Sequence, residues 1–236
     1  MKAVIIAAGQ SSRLWSKTIQ SPKTLLPYKK GVILDKIIAN LKKCKIKDIV
    51  VVGGWKKLQI KRYLAEHDYG VHVQFVTNRE WMRGNGISVL AAKPAVGDEP
   101  FLLSMCDHVV SPKAIRRIKK SRRRENLLLV DKRVDQIFDI DDATKVLVKK
   151  KKIVRIGKEL TEYNGIDCGV FRLDGRFFEA MKTQVENGQE SISAGVTELI
   201  KKGKMAAVFI KKKEKWIDID TPEAYQFAIE RKKAKL

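Results

Sequence analysis

Apolar residues in the first half of the chain recur in two rhythms that alternate along the sequence. Nearly continuous runs rich in Val, Ile and Leu have the length of buried β-strands, and apolar residues spaced three and four apart, as at Leu34, Ile37, Ile38 and Leu41, predict amphipathic helices. This alternation is typical of a mostly parallel sheet covered on both faces. The predicted strands are Val4–Ala8, Ile49–Val52, Val71–Val76, Phe101–Met105 and Asn126–Val130, and further helices are predicted at Leu58–Leu64, Ile87–Ala95 and Ile115–Ile118.

The pattern changes in the second half, where strand-like runs follow one another more closely. Thr144–Val148 and Ile153–Ile156 flank four consecutive lysines, which predicts a β-hairpin with a charged turn. Thr221 followed by Pro222 is typical of a helix start, and we expect this closing helix to run to about Lys233. The other predicted elements are strands at Asp167–Leu173, Met205–Ile210 and Lys215–Ile219 and helices at Phe177–Val185 and Ile192–Lys201.

These elements predict one domain over residues 1–236, because no internal repeat or long linker divides the chain. The expected fold is α/β and Rossmann-like, with a mixed, mostly parallel sheet covered by helices on both faces and an antiparallel β excursion in the second half. The composition, 44% apolar and 32% charged in 236 residues, suits a folded core and excludes global disorder.

Composition also sets expectations about the compartment. The apolar runs are far shorter than the ~18 residues of a membrane span, and the N-terminal run turns polar too early for a signal peptide. Cys44, Cys106 and Cys168 form no CxxC pair, and three histidines are too few for a His-built zinc site. We therefore expect a cytoplasmic protein with reduced cysteines.

The formal net charge of +22 leaves several interpretations open. Nucleic-acid binding, an anionic membrane surface and a highly phosphorylated small substrate would each favour a basic protein. A lysine-rich solvated surface, as in heat-adapted proteins, explains the same charge without a partner. The basic residues concentrate at 113–124, 149–152, 201–215 and 231–235.

The loop after the first predicted strand is rich in small residues and ends in Arg13. Such a loop lies at the carboxyl edge of an α/β sheet, where ligands bind, and small side chains allow backbone N–H groups to approach phosphate oxygens. Arg13 adds a forked cation, although a simple tight turn is the alternative interpretation. The chain has neither the GxGxxG dinucleotide pattern at this loop nor a GxxxxGK[ST] sequence, which argues against an oxidoreductase and a P-loop ATPase.

Further polar residues occupy positions that suit phosphate and metal chemistry. Lys23 lies in a segment stiffened by two prolines, and Asp107 ends an apolar strand where its carboxylate can hold Mg²⁺ against a triphosphate. Asp218 and Asp220 are two residues apart and would point to the same side of a strand. One can complete a metal site and the other can cap the closing helix, whereas His108 is expected to serve in packing or beside the metal.

Together, the AAGxxxR loop and the PKxL segment resemble the signature of nucleotidyltransferases that join a nucleoside triphosphate to a sugar phosphate or similar alcohol phosphate. The stretches MCDH, GNGIS, IGKEL and NGIDCGVF extend the resemblance over the whole chain and are most similar to cytidylyltransferases acting on inositol 1-phosphate. One departure is Ser11, which stands where the family has a second glycine; a left-handed backbone there would cost about 1 kcal/mol.

The resemblance implies Mg²⁺-dependent transfer of CMP from CTP to inositol 1-phosphate, giving CDP-inositol and pyrophosphate. Phosphocholine and hexose 1-phosphates are alternative acceptors, and a basic nucleic-acid-binding protein is the alternative of a different class. The resemblance also implies a fused or neighbouring membrane-bound transferase and no nucleic-acid partner, and it leaves the oligomeric state open.

The same resemblance assigns roles to individual residues. Residues 1–135 would mainly bind the nucleotide and residues 136–236 the acceptor. Lys23, Arg13 and Lys158 would be catalytic, with Lys23 at the α-phosphate of CTP. Asp107 and Asp218 would hold Mg²⁺, Asp220 being the other candidate ligand. The remaining assignments are Ala8, Gly9, Gln10, Ser11 and Ser12 to the triphosphate, Gly84, Asn85 and Ser88 to the base, Lys158 to the acceptor phosphate, and Asp167 and Glu190 to acceptor hydroxyls.

Some of these residues keep a purely structural alternative at this point. Lys158 would otherwise be a surface lysine at a hairpin end, Asp167 a turn residue and Glu190 part of a helix start. The stretch Gly84–Gly86 would otherwise be a plain turn before a helix.

Overall fold

The computed structural model describes residues 1–14 and 20–230, and its elements alternate in the order that the apolar pattern predicts. The strands are β1 (Ala3–Ala7), β2 (Pro27–Tyr28), β3 (Gly31–Val32), β4 (Asp48–Gly53), β5 (His72–Thr77), β6 (Phe101–Met105), β7 (His108–Val110), β8 (Asn126–Asp131), β9 (Lys145–Lys149), β10 (Lys152–Gly157), β11 (Gly165–Leu173), β12 (Met205–Phe209) and β13 (Trp216–Asp218). The helices are α1 (Ile33–Lys42), α2 (Lys57–Ala65), α3 (Asn85–Ala91), α4 (Lys93–Val96), α5 (Pro112–Lys119), α6 (Gly175–Glu186), α7 (Ile192–Lys201) and α8 (Pro222–Glu230).

One mixed sheet organises the described chain, and its strand order is β5-β4-β1-β6-β11-β8-β12-β10-β9. The strands β5, β4, β1 and β6 are parallel neighbours, as are β8 and β12. β11 is antiparallel to both β6 and β8, so the antiparallel excursion enters the middle of the sheet instead of staying in the β9–β10 hairpin. The predicted α/β fold is confirmed.

Helices cover both faces of this sheet because neighbouring residues of a strand point to opposite sides. Ile5 packs on the face covered by α1, α2, α5 and α8, whereas Val4 and Ile6 pack on the face covered by α3, α4, α6 and α7. Every residue of β1 and β8 is buried. This two-sided burial explains why β1 is apolar throughout and why β8 is apolar except at its ends, Asn126 and Asp131, as strands of parallel sheets usually are largely apolar.

The structure departs from the predicted elements in a few places. The helix predicted over Ile87–Ala95 is two helices, α3 and α4, separated at Ala92 two residues before Pro94, which cannot donate a backbone hydrogen bond. The strands β2, β3 and β7 escaped prediction because strands of two or three residues carry too short a pattern, whereas β13 lies within the strand predicted at Lys215–Ile219. The predicted end of the closing helix at Lys233 lies outside the described residues.

The start of that helix agrees with its sequence. Pro222 is the first residue of α8, and the Oγ1 atom of Thr221 accepts a hydrogen bond from the backbone N–H of Ala224 at 3.1 Å. A threonine N-cap satisfies one of the backbone donors that a helix start leaves without a partner. The cap is therefore Thr221, so the expectation that Asp218 or Asp220 caps this helix is wrong.

Candidate active site

A cavity of about 700 Å³ opens at the edge of the sheet where β1, β6 and β8 end. The carboxyl ends of parallel strands meet at one edge, so the loops that follow them converge there. The first residues of β11 reach the same edge because this strand runs in the opposite direction. The sequence-predicted residues that line the cavity are Gly9, Ser11, Ser12, Arg13, Lys23, Asn85, Ser88, Asp107, Lys158, Asp167, Asp218 and Asp220.

Four sequence-predicted residues do not line the cavity. Ala8 is buried and its carbonyl accepts a hydrogen bond from Trp55, whereas Gln10 is exposed. Gly84 and Glu190 contact each other instead: the Glu190 carboxylate accepts a hydrogen bond from the Gly84 N–H at 3.1 Å. Glu190 also pairs with the guanidinium of Arg83. The structure thus uses Glu190 to hold the loop before α3, which agrees with its alternative interpretation as part of a helix start.

The loop after β1 keeps a left-handed backbone at its unusual serine. Ser11 has a φ of 56°, and its carbonyl accepts a hydrogen bond from the N–H of Leu14 at 3.0 Å, which closes a tight turn. A non-glycine residue in this region costs roughly 1–2 kcal/mol. The serine therefore accepts the conformation for which glycine is usual, and Arg13 lies within this turn.

The short β7–β13 ladder brings distant carboxylates together. Asp107 directly precedes β7, and in the antiparallel pairing His108 lies opposite Asp218. The side chains of Asp107, His108 and Asp218 offer polar atoms that all lie within 4.8 Å of one another. His108 Nδ1 lies 2.7 Å from an Asp107 oxygen, and its Nε2 lies 3.6 Å from an Asp218 oxygen. We call these three residues the Asp–His–Asp cluster.

Packing fixes the imidazole of His108 between the two carboxylates. The ring lies nearly parallel to the indole of Trp216, with 5.7 Å between ring centroids and 9° between planes. The indole Nε1–H donates to Asp131 at 2.9 Å, and Asp131 also accepts from Arg133. On β11, a side chain at Gly169 would meet the imidazole at 2.3 Å. Sequence reasoning assigned His108 to packing or to the metal's surroundings, and the structure gives it contacts with both carboxylates.

The close charges of the Asp–His–Asp cluster shift the pKa of each member. Burial would raise the pKa of Asp107, but Lys23 and His108 outweigh burial and hold it well below its usual range. Burial would lower the pKa of His108, but Asp218 and Asp107 outweigh it and raise the pKa to about 10. Burial, with repulsion from Asp107 and Asp220, raises the pKa of Asp218 to about 7. The cluster therefore holds more negative charge than its buried position favours.

Carboxylates contact the cations that were predicted to bind phosphate. Lys23 is only 4% exposed; its Nζ donates to Asp107 at 2.7 Å and also to Asp220. Burial would lower the pKa of Lys23, but Asp107 and Asp220 outweigh burial and raise it. Arg13 also pairs with Asp220. Asp220 therefore faces the cations and lies outside the Asp–His–Asp cluster.

Asp142 is the site residue that sequence reasoning missed. Its carboxylate pairs with Arg13 and accepts a hydrogen bond from Lys158 Nζ at 2.7 Å. It lies in an irregular stretch with several other aspartates, so neither spacing nor a predicted element distinguishes it in the sequence. Only the fold shows that this carboxylate lies between the cation of the first loop and the predicted acceptor lysine.

The donor set of the Asp–His–Asp cluster fits a divalent metal ion. The Oδ1 atom of Asp218 is buried and has no hydrogen-bond partner among the described residues. A buried carboxylate oxygen without a partner is costly, and a cation would satisfy it. Carboxylate oxygens are the ligands that Mg²⁺ and Mn²⁺ prefer. Asp107 and Asp218 are thus suited to hold the metal, with His108 orienting both.

The comparisons with known proteins agree with this site. Residues 3–137 match the model of the MobA-like NTP transferase domain, and the chain belongs to this family. It therefore contains a nucleotidyltransferase domain of the MobA-like type.

Within this class, the most informative similarities point in one direction. A protein of Thermococcus kodakarensis named bifunctional IPC transferase and DIPP synthase is 32% identical, over 94% of this chain and 48% of the relative. A protein of Aquifex aeolicus with the same name is 30% identical, over 94% of this chain and 49% of the relative. The solved inositol-1-phosphate CTP transferase from T. maritima has a TM-score of 0.87 and 25% identity, covering 100% of this chain and 97% of that chain.

These similarities confirm the resemblance that the motifs predicted. The chain nevertheless spans about half the length of the curated relatives it matches. Among residues 1–14 and 20–230, no helix has the length and apolar character needed to cross a membrane.

Proposed function

We propose that this chain transfers CMP from CTP to inositol 1-phosphate, giving CDP-inositol and pyrophosphate, with Mg²⁺ as cofactor. The observation that carries the proposal is the contact between Lys23 and Asp107. The buried ammonium of Lys23 donates to this carboxylate of the Asp–His–Asp cluster, beside the loop that ends in Arg13. A cation next to a carboxylate that can hold a metal ion suits an α-phosphate that gains charge during transfer. The likeness to inositol-1-phosphate CTP transferase supports the choice of both substrates.

The reaction requires positioning more than a strong base. An oxygen of the acceptor phosphate attacks the α-phosphorus of CTP, and the bond from that phosphorus to the leaving pyrophosphate oxygen breaks. A phosphate monoester is largely ionised at neutral pH, so no general base has to remove a proton first. Lys23 would neutralise charge that grows at the α-phosphate, Arg13 and the amides of its loop would hold the leaving phosphates, and Lys158 would orient the acceptor phosphate. A bound Mg²⁺ supplies additional charge neutralisation.

The base would lie against the start of α3. Ser88 is buried at the cavity wall, and its Oγ accepts a hydrogen bond from Asn78 at 3.0 Å, which leaves the hydroxyl proton for another acceptor. The Asn85 side chain accepts from the N–H of Ile192 and thereby fixes the helix start. We expect backbone groups of this loop to distinguish the amino group of cytosine from the carbonyl of uracil, since a mismatched buried pair costs about 1–3 kcal/mol.

The acceptor would occupy the part of the cavity beside Lys158 and Asp167. Asp167 is at the start of β11, and its Oδ1 accepts a hydrogen bond from the N–H of Gly169 at 2.7 Å. The other carboxylate oxygen remains for a hydroxyl group, which suits a polyol phosphate. Asp167 would accept hydrogen bonds from the hydroxyls of the acceptor, and Lys158 would contact its phosphate.

The test measures pyrophosphate release for the four nucleoside triphosphates against inositol 1-phosphate, glucose 1-phosphate and phosphocholine, with Mg²⁺. We expect CTP with inositol 1-phosphate to be preferred, CTP exceeding UTP at least about tenfold. Mass spectrometry of a reaction in which all substrates compete identifies the product. Preference for another acceptor would overturn the inositol assignment and leave cytidylyl transfer standing. A preference for a purine nucleotide would overturn the assignment of the base pocket.

A further inference from the structure

The segment between β8 and β9 forms one wall of the cavity, and we call residues 134–144 the wall segment. It begins with a single 3-10 turn at Val134–Gln136 and ends just before Lys145 of β9. Its Phe138 stacks on Phe227 of α8, with 4.8 Å between the ring centroids. The wall-segment residues that line the cavity are Gln136, Ile137, Phe138, Asp139, Asp142, Ala143 and Thr144.

Asp142 differs from the other carboxylates of the site in what it contacts. Asp107 and Asp218 belong to the Asp–His–Asp cluster, whereas among the described residues Asp142 pairs with Arg13 through one oxygen and with Lys158 through the other. Burial alone would raise the pKa of Asp142, but Arg13 and Lys158 outweigh burial and lower it. The carboxylate is therefore ionised at neutral pH and lies where an anion is bound from two sides.

We propose that Asp142 occupies, in the substrate-free protein, the anion position that a substrate phosphate takes between Arg13 and Lys158. This inference rests on the proposed function, which gives these two cations to phosphate groups. A phosphate that binds the donors which Asp142 uses, Arg13 Nη1 and Lys158 Nζ, displaces the carboxylate from them. Asp142 thus sets the affinity of the site for phosphate substrates and for pyrophosphate by competing with them.

The exposure of these side chains bounds the size of the effect. The side chains of Arg13, Asp142 and Lys158 are 44%, 32% and 48% exposed, so solvent screens both ion pairs. Exposed pairs are weak, and breaking two of them lowers substrate affinity by about three- to tenfold. The competition therefore limits the affinity without preventing binding, and it assists release of pyrophosphate.

The test compares Asp142→Asn with Asp139→Asn as a matched control. Asp139 lies in the same wall segment and lines the same cavity but contacts neither cation among the described residues, so both variants lose one negative charge at the cavity. Calorimetric titration with CTP and with pyrophosphate measures the dissociation constants. We expect Asp142→Asn to bind both ligands about three- to tenfold more tightly than wild type and Asp139→Asn to change them by less than twofold.

Steady-state kinetics provides the second readout. If Asp142 competes at the phosphate position, Asp142→Asn should lower the KM for CTP and for the alcohol phosphate and strengthen inhibition by pyrophosphate, without raising kcat. Equal effects of the two variants would reduce the role of Asp142 to general repulsion and overturn the proposal. A raised KM for the acceptor in Asp142→Asn would overturn it as well, because the carboxylate would then bind the substrate directly.

Two further controls keep these outcomes separate. If Asp142→Asn has a lowered melting temperature, Asp142→Ser replaces it, because a serine at this exposed position also removes both ion pairs. Wild-type protein that binds neither CTP nor pyrophosphate would contradict the proposed function itself. Wild-type binding that Asp142 variants leave unchanged would overturn only the inference about Asp142.

Discussion

At the scale of single residues, the site is a set of charges that neutralise one another when no substrate is bound. The buried ammonium of Lys23 lies between Asp107 and Asp220, and Asp220 continues the contact to Arg13. The same side chains are therefore held in place before a polyanion and a metal ion arrive. Preorganised charges of this kind lower a barrier because little has to move during the reaction.

The first prediction separates a metal ligand from a neighbouring aspartate. Asp107→Asn removes a charge from the Asp–His–Asp cluster. We expect the rate of pyrophosphate release to fall about a hundredfold or more and the affinity for Mn²⁺ to fall as well. Asp220→Asn removes an equal charge that contacts cations, and its Mn²⁺ affinity should stay near that of wild type. Manganese binding by electron paramagnetic resonance and pyrophosphate release measure the two effects. Near-normal turnover of Asp107→Asn at saturating Mg²⁺ would contradict the assignment.

The second prediction concerns stability at Asp167. Burial raises the pKa of this carboxyl to about 6, partly opposed by His108. A raised folded-state pKa contributes stability at low pH that is lost as the pH rises through that value. Asp167→Asn removes the ionising group and keeps an oxygen for the N–H of Gly169. We therefore expect this variant to melt above wild type at pH 8, with the difference shrinking toward about pH 4.

Activity decides whether Asp167 also has a functional role. If the carboxylate accepts a substrate hydroxyl, Asp167→Asn gains stability and loses affinity for the acceptor, as functional sites often do. The exposed Asp141 provides a control, because Asp141→Asn should change neither melting temperature nor the KM for the acceptor. A pH-independent difference in melting between wild type and Asp167→Asn would contradict the buried charge.

At the scale of elements, three short or irregular strands assemble the site. The β7–β13 ladder sets Asp218 opposite His108, and β11 changes register between Asp167 and Phe171 in its pairing with β8. Gly169 lies inside that register change with a φ of 69°. A bulge at this point bends the strand and gives space to the imidazole, which a regular strand with a side chain would fill.

The third prediction tests this close approach. Gly169→Ala adds a methyl group 2.3 Å from the His108 ring, so the ring must shift away from both carboxylates of the Asp–His–Asp cluster. Gly203→Ala is the matched control, because Gly203 has a similar φ of 66° but nothing within 4 Å of an added Cβ. Both variants should lose roughly 1 kcal/mol from backbone strain. We expect only Gly169→Ala to lose activity, by more than about tenfold.

Equal activity in the two glycine variants would show that the position of His108 does not matter for turnover. Thermal melting and pyrophosphate release, measured on the same preparations, separate strain of the backbone from displacement of the ring. The comparison therefore tests the close approach of Gly169 to the His108 ring without changing any charge at the site.

At the scale of the whole molecule, the sheet separates the site from a strongly basic surface. Residues 42–47 and 113–124 carry Lys and Arg and no Asp or Glu, and they adjoin because Arg116 and Lys119 donate to carbonyl groups of residues 43–45. Both stretches precede strands, β4 and β8, at the amino edge of the sheet. The cavity opens at the opposite edge, so this charge does not line the site.

The fourth prediction uses that separation to test the nucleic-acid alternative. Random RNA should bind the basic surface weakly and lose binding as salt rises above about 0.15 M, because such binding comes from counterion release. It should not inhibit pyrophosphate release, since the two surfaces lie at opposite edges. A gel shift in a salt series and an assay with added RNA measure both effects. Salt-resistant binding together with inhibition would favour a nucleic-acid ligand at the site.

Both halves of the chain also contribute to one cavity. Asp107 comes from the half expected to bind the nucleotide, while Asp218 and Asp220 come from the half expected to bind the acceptor. The division into a nucleotide-binding half and an acceptor-binding half therefore applies to the expected substrate contacts. The Asp–His–Asp cluster takes residues from both halves. We propose that the two halves act as one unit, with the cluster at their junction.

Most of the elements and the chemistry of the first loop could be predicted from the amino-acid sequence. Buried strands are almost continuously apolar and the apolar residues of helices repeat every three to four residues, so local pattern alone predicts both. Local sequence patterns distinguished Arg13 at the end of the first loop, Lys23 between two prolines and Asp107 after an apolar strand. Each of these residues lines the cavity. Glu190 kept two interpretations in the sequence because its partners, Arg83 and Gly84, are 107 and 106 positions away.

Only the tertiary structure decided which charges meet. Arg13 and Asp220 are 207 positions apart, and Arg13 and Asp142 are 129 apart, so no local pattern relates them. The local sequence around a carboxylate in an irregular segment is the same whether the carboxylate faces water or a cation. Sheet order and strand direction bring such residues within hydrogen-bond distance, because converging strand ends place loops from the whole chain at one edge.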